Sequence, residues 1–172
     1  METAIVSIIC VALIAFGGMT MSRGFITSVD KSAHGMDTAG TRTETRMRTE
    51  LTPLSASLPA GNRLEIILQN TGQTKLSDYA KWDLIVQYYD NTGTYHVAWL
   101  PYTDGVLGDN EWELSWIHLD NGQPETFEPG ILNAKEEIMI RAQLNPAPGP
   151  GTTNLAVVST PNGVTASIYF LP

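Results

Sequence analysis

No proline occurs before Pro53, and no charged side chain lies between Thr3 and Ser22, in a chain of 172 residues that holds ten prolines. Proline removes a backbone donor and clashes with the preceding helical turn, so its absence leaves residues 1–52 free to form one uninterrupted helix. Such a helix is roughly 78 Å long at about 1.5 Å per residue, and its uncharged first part matches the roughly 30 Å of a bilayer's hydrocarbon. One cysteine, Cys10, excludes a disulfide within the chain. Placed in the middle of the apolar run, it reads as a small hydrophobe rather than a redox or metal group.

Basic side chains are scarce as well, with 10 Lys and Arg against 18 Asp and Glu and a net charge of -8. The imbalance is uneven. Residues 1–60 carry five basic and five acidic side chains, and residues 61–172 carry five and thirteen. A surface of that sign repels nucleic acid and keeps crowded copies soluble. No basic residue precedes the apolar run, since Met1 and Glu2 lead straight into it and Arg23 is the first cation. Secretory leaders and signal anchors begin with Lys or Arg; the positive-inside rule then places the head in the cytoplasm, and the other expectation is that a short basic leader has been removed ahead of Met1. Arg23 itself reads as a marker of the boundary where the rod leaves its apolar environment.

Catalytic and metal-binding signatures are missing too. No G-x-S-x-G, H-E-x-x-H, Walker or dinucleotide pattern is present. His34, His96 and His118 stand far apart and away from Cys10, which argues against a metal site or a nucleophile–base pair. Asp104–Glu111 offers three carboxylates but lacks the alternating oxygen spacing of a calcium loop. We therefore expect no catalytic residues, no cofactor and no metal.

Between Ile26 and Leu51 apolar or small residues recur at spacings of three and four: Ile26, Val29, Ala33, Met36, Gly40, Thr43, Met47 and Leu51. That periodicity predicts a narrow helical stripe, so the rod is apolar all round over 3–22 and amphipathic over 23–52. Gly35 and Gly40 are the places where a bend is cheapest, and Pro53 is expected to end the helix.

After Pro53 the pattern changes to short β-branched and aromatic runs. They fall at residues 63–69, 83–89, 95–100, 112–118, 136–144, 154–159 and 165–170, with turn clusters such as Asp90-Asn91-Thr92-Gly93 and Pro161-Asn162-Gly163 between them. Seven or eight strands at this spacing predict an antiparallel sandwich over 53–172, the compact head of an α+β chain. Alternation places Trp112, Leu114 and Trp116 inward on one strand, and Ile138, Ile140, Ala142 and Leu144 inward on another. Of the aromatic set Trp82, Tyr88, Tyr89, Tyr95, Trp99, Tyr102, Trp112 and Trp116, about half is expected in the core; the remainder could line a glycan-binding face.

Two local stretches give this architecture a family likeness. Asn70-Thr71-Gly72-Gln73-Thr74-Lys75-Leu76, followed by Trp82-Asp83, resembles the N-x-G-x-x-x-L turn after the first head strand of the archaellins. Pro129-Gly130-Ile131-Leu132-Asn133-Ala134-Lys135-Glu136 resembles the turn before a late strand in the same proteins. The long helix and the immunoglobulin-like head extend the likeness to the whole chain. Archaellins are filament subunits of the archaeal flagellum, within the type IV pilin superfamily. Two departures are the Met1-Glu2 start, with no glycine before Gly17, and Ala134-Lys135 in the late turn.

The resemblance implies an extracellular fibre for motility, built by copies of the chain packing their helices together. The implied helix–helix interface comprises Glu2, Ile5, Ile8, Ile9, Ala12, Leu13, Phe16, Met19, Phe25, Ile26, Val29, Ala33 and Met36. Its implied partners are other copies, the membrane before assembly, and a pilus-like or archaellum assembly machinery, with no nucleic acid. Glu2 would either neutralise an α-amino group inside the bundle or stay a solvated end charge. Thr3, Ser7, Gly18 and Ser22, two pairs four residues apart, would let helices approach closely. The competing expectation is a membrane-anchored accessory or ligand-binding β-sandwich of the cell envelope.

Overall fold

The computed structural model describes Glu2–Pro172, with side chains described from Ala4 onward, and divides into two units, the first running to Thr43 and the second Glu44–Pro172. Helix α1 spans Glu2–Met47 without interruption, passing through Gly35 and Gly40. It ends before Pro53, and the chain is already extended at Leu51, where β1 (Leu51–Ser57) begins. The helical stripe therefore stops short of the sequence expectation. Met47 is exposed in the last turn, while Leu51 points into the core of the second unit.

The helix carries several threonines, and their hydroxyls turn back onto the preceding turn. Thr20, Thr27, Thr38 and Thr43 donate to the carbonyls of Gly17, Arg23, His34 and Ala39 at 2.8–2.9 Å. A hydroxyl satisfied within its own helix needs no water, so these positions can enter an apolar environment at low cost.

The second unit is a sandwich of two four-stranded antiparallel sheets, with orders β1-β2-β6-β5 and β4-β3-β7-β8. The remaining strands are β2 (Arg63–Asn70), β3 (Asp83–Tyr89), β4 (Tyr95–Leu100), β5 (Trp112–His118), β6 (Glu137–Gln143), β7 (Asn154–Ser159) and β8 (Thr165–Phe170). Inward positions of β2, β3 and β6 are fully apolar and meet between the sheets: Leu64, Ile66 and Leu68 face Leu84 and Val86 across the layer, with Ile138, Ile140 and Ala142 beside them. Strand β1 shifts register between Pro53 and Ser55 at the sheet edge, which is where a proline can sit without breaking a ladder.

Strand β5 corrects one expectation. Its pairing with β6 shifts between Leu114 and Trp116, so an extra residue bulges at Ser115. The bulge reverses the alternation beyond Leu114: Trp112 is fully buried and Leu114 packs against the core as expected, Ile117 takes the next inward place, and Trp116 turns out beside Met139 to stack on His118 at 3.9 Å.

Candidate functional site

Three features of the chain stand out by their exposure or by their hydrogen bonding. The first is the surface of α1. Ile5, Ile8, Ile9, Leu13, Phe16 and Met19 are all more than half exposed, and Ala12 is exposed with them. Small residues cannot hide such side chains, so the first five turns offer bare apolar surface in every direction. Beyond Arg23 the character narrows to a face. Phe25, Ile26, Val29, Ala33 and Met36 remain exposed, with Ser28 and Ser32 forming a shallow notch between the larger side chains. The Glu2 side chain lies outside the described residues.

The second feature is a collar around the exit of the helix, formed within the second unit. Buried Asn70 donates from Nδ2 to the Thr74 and Leu132 carbonyls at 2.9 and 3.1 Å, and its Oδ1 accepts from the Gly72 amide at 3.1 Å. Leu76 and Leu132 exchange backbone hydrogen bonds, and the Lys135 amide donates to the Asn70 carbonyl at 2.7 Å. The Gln73 and Thr74 amides donate to the Arg48 carbonyl, and those of Thr71 and Gly72 to Glu50. Gly72 fits because a β-carbon there would lie 2.5 Å from the Glu50 nitrogen. The two stretches that carry the family likeness thus meet in space, and one of them clasps the segment following α1. Asn162 adds a bond from Nδ2 to the Thr49 hydroxyl at 2.7 Å.

A buried carboxyl completes the collar. Glu136 accepts from the Asn133 amide at 2.7 Å and from its side chain at 3.2 Å. Burial pushes its pKa up, and a hydrogen bond with Glu125 adds to the shift. Glu125 itself is held down, chiefly by the Glu128 amide.

The third feature is the outer face of the β4-β3-β7-β8 sheet. The register sets Val97, Gln87, Leu155 and Tyr169 in one row across the four strands, and Trp99, Ile85, Val157 and Ser167 in the next. Tyr95 and Tyr89 pair beside them with ring centroids 5.0 Å apart. Trp99 Nε1 donates to Asp83 at 2.9 Å and the Tyr95 hydroxyl to Gln87 at 2.9 Å, so both rings are pinned. The outer face of the other sheet is different in kind, with Arg141 held between Glu65 at 3.3 Å and Glu113 at 3.2 Å.

Aromatic residues expected as one cluster therefore divide. Trp82, Tyr88 and Trp112 are core, Tyr102 and Trp116 are half-buried, and Tyr89, Tyr95 and Trp99 are exposed. A cleft of 330 Å³ beside the β5 bulge is lined by Ser115, Trp116, His118 and Glu125 among others. No hydrogen bond joins Ser115 to His118 among the described residues. In the Asp104–Glu111 loop Glu111 accepts from the Gly108 amide within the loop, and Asp109 accepts from the Asn145 side chain outside it. His96 is bound to Asp90 at 2.8 Å. No group of three or more metal-ligating side chains gathers among the described residues.

No family model and no curated protein matches the chain. Among solved structures it is similar to the archaellum periplasmic stator protein complex FlaF and FlaG from Sulfolobus acidocaldarius, at 20% identity over 71% of this chain and 89% of that one, with a TM-score of 0.51. It is also similar to the archaeal flagellum of Methanospirillum hungatei strain JF1, at 12% identity over 93% of this chain and 88% of that one, with a TM-score of 0.49. At 20% identity the likeness to the stator complex is one of fold.

Proposed function

We propose that this chain is a subunit of an archaellum-type surface fibre, inserted in the membrane as a precursor and polymerised through α1. The observation that carries the reading is the apolar face Phe25–Met36, which lies beyond the uncharged segment and remains exposed. An anchor needs only about 20 apolar residues to cross a bilayer. A further apolar face running over the twelve residues 25–36 has no lipid to meet, and neighbouring helices are the natural cover for it. The self-bonded threonines and the small residues Ser28, Ser32 and Ala33 suit close approach of helices, where packing rather than water exclusion drives association. Contacts of that kind between successive copies are heterologous and do not close, which produces a helical fibre.

In this reading the interface comprises Ile5, Ile8, Ile9, Ala12, Leu13, Phe16 and Met19 together with the Phe25–Met36 face, and Glu2 neutralises an α-amino group among the packed helices. The acidic sandwich faces outward, and the role is structural rather than catalytic. Val29→Lys tests it. The variant is expected to insert in membranes as well as the parent and to build no fibres, because residue 29 lies outside the span. Fibres of normal length from Val29→Lys would overturn the reading.

A second reading rests on the likeness of fold to the stator complex, 89% of whose chain is covered. A membrane-anchored accessory of the same apparatus, present in few copies, would use α1 only as a tether. It predicts that Val29→Lys changes nothing.

A further inference from the structure

We propose that two heads pair face to face through the outer surface of the β4-β3-β7-β8 sheet, as an isologous contact between copies of this chain. The inference concerns the second unit of membrane-inserted copies before they polymerise, because a closed two-fold pair is not a contact that successive copies of a polar helical fibre can share.

Charge is the first ground. The thirteen acidic side chains of residues 61–172 outnumber the basic ones by eight, yet the outward positions of these four strands include a single carboxylate, Asp83, which is engaged by Trp99. Depletion of charge with enrichment in Tyr and Trp is the composition of an interface centre rather than of general surface. An acidic partner would be repelled by the rest of the head, and a basic one would find its counter-charges elsewhere. The surface best matched to a neutral face on an acidic body is the same neutral face on a second copy, where two like-charged heads can meet with least repulsion.

Area is the second ground. Tyr95, Val97, Trp99 and Tyr169 are between 50% and 70% exposed, and Tyr89 is 42% exposed. At about 200 Å² for a large side chain, and with the half-buried Ile85, Leu155 and Val157 between them, the face offers on the order of 700 Å². That approaches the roughly 800 Å² per partner of a standard stable interface. Because Trp99 and Tyr95 are already pinned by Asp83 and Gln87, little side-chain freedom is lost when they are covered. Two copies of one patch related by a two-fold axis close on themselves, the commonest symmetry among soluble oligomers.

The test is site-directed cross-linking of the full chain reconstituted in lipid vesicles, in a Cys10→Ala background. Val157→Cys puts one thiol at the middle of the proposed face, and Met139→Cys puts one at the middle of the opposite sheet's outer face. With a short bis-maleimide, at least tenfold more dimer is expected from residue 157 than from residue 139. Adding Val97→Lys to the Val157→Cys chain should remove that dimer while the far-UV circular dichroism stays unchanged. No dimer from residue 157, or equal dimer from both positions, overturns the proposal. A blue shift of tryptophan emission that is lost in Trp99→Lys, grows with added vesicles and comes without cross-linking would overturn it too, by giving the face to lipid. Because α1 is unaltered but for Cys10, this outcome is separate from that of Val29→Lys.

Discussion

A β-carbon on Gly72 would lie 2.5 Å from the Glu50 nitrogen and 2.6 Å from the Arg48 oxygen, both backbone atoms that cannot rotate away. Gly72→Ala must therefore displace the exit of α1, and overpacking of this kind costs about 1–3 kcal/mol. We expect a melting temperature several degrees lower for Gly72→Ala, and almost no change for Gly105→Ala, where the added carbon meets only the Thr103 hydroxyl at 3.7 Å. Two carboxyl groups give opposite pH dependences. The Thr92 hydroxyl first, then His96, holds Asp90 well below the usual carboxylate range. The stability Asp90 contributes is thus present above about pH 4 and lost as the pH falls toward its depressed value. Burial raises Glu136, so its contribution is complete in acid and is lost as the pH rises through the raised pKa. Thermal melts across pH should show Glu136→Gln more stable than the parent near pH 7 and equal to it near pH 4. Asp90→Asn should be less stable than the parent near neutrality and lose that deficit in acid. Asn70 and Gly72 stand out in the sequence because a turn signal precedes a leucine at fixed spacing. The burial of Glu136 does not, since a glutamate just before a strand gives no hint that Glu125 and Asn133 will close over it.

At the scale of elements, the two tryptophans of β5 separate what alternation reveals from what it hides. Read as a regular strand, Trp112 and Trp116 are equivalent, yet the bulge at Ser115 sends one inward and the other outward. Trp112→Ala is expected to cost about 3–5 kcal/mol, as for a fully buried aromatic. Trp116→Ala should cost less than half as much in the same denaturant titration. A bulge leaves no mark on a hydrophobic pattern until the partner strand is known, so its position was illegible. Strand β1 was obscured for another reason: Leu51–Ser57 carries Pro53, small residues and no β-branched apolar side chain, and it is an edge strand that adds only one side to a ladder. Seven strands with strong alternation, by contrast, were readable within a residue or two. So was α1, although the apolar periodicity running on to Leu51 concealed that the helix stops at Met47.

For the whole molecule, the central fact is a division of labour between two units that solve the hydrophobic problem differently. Every buried apolar residue among those described lies between Leu51 and Phe170, so the sandwich satisfies itself. A chain beginning at Glu44 is expected to fold alone, with a strand-dominated circular dichroism spectrum and the head's cooperative melt. Loss of that melt on removing residues 1–43 would show that the core depends on the helix. Helix α1 has no such core and must find cover elsewhere. Which cover it finds is only half legible, because an apolar segment of bilayer length fits a membrane and a bundle of copies equally well. Cryo-electron microscopy of fibres sheared from the producing cells addresses this most directly. The account predicts a helical array with α1 from many copies packed at the axis and the sandwiches on the outside. Cells that bear no fibre of this chain, with all of it recovered from the membrane and α1 surrounded by lipid, would contradict it.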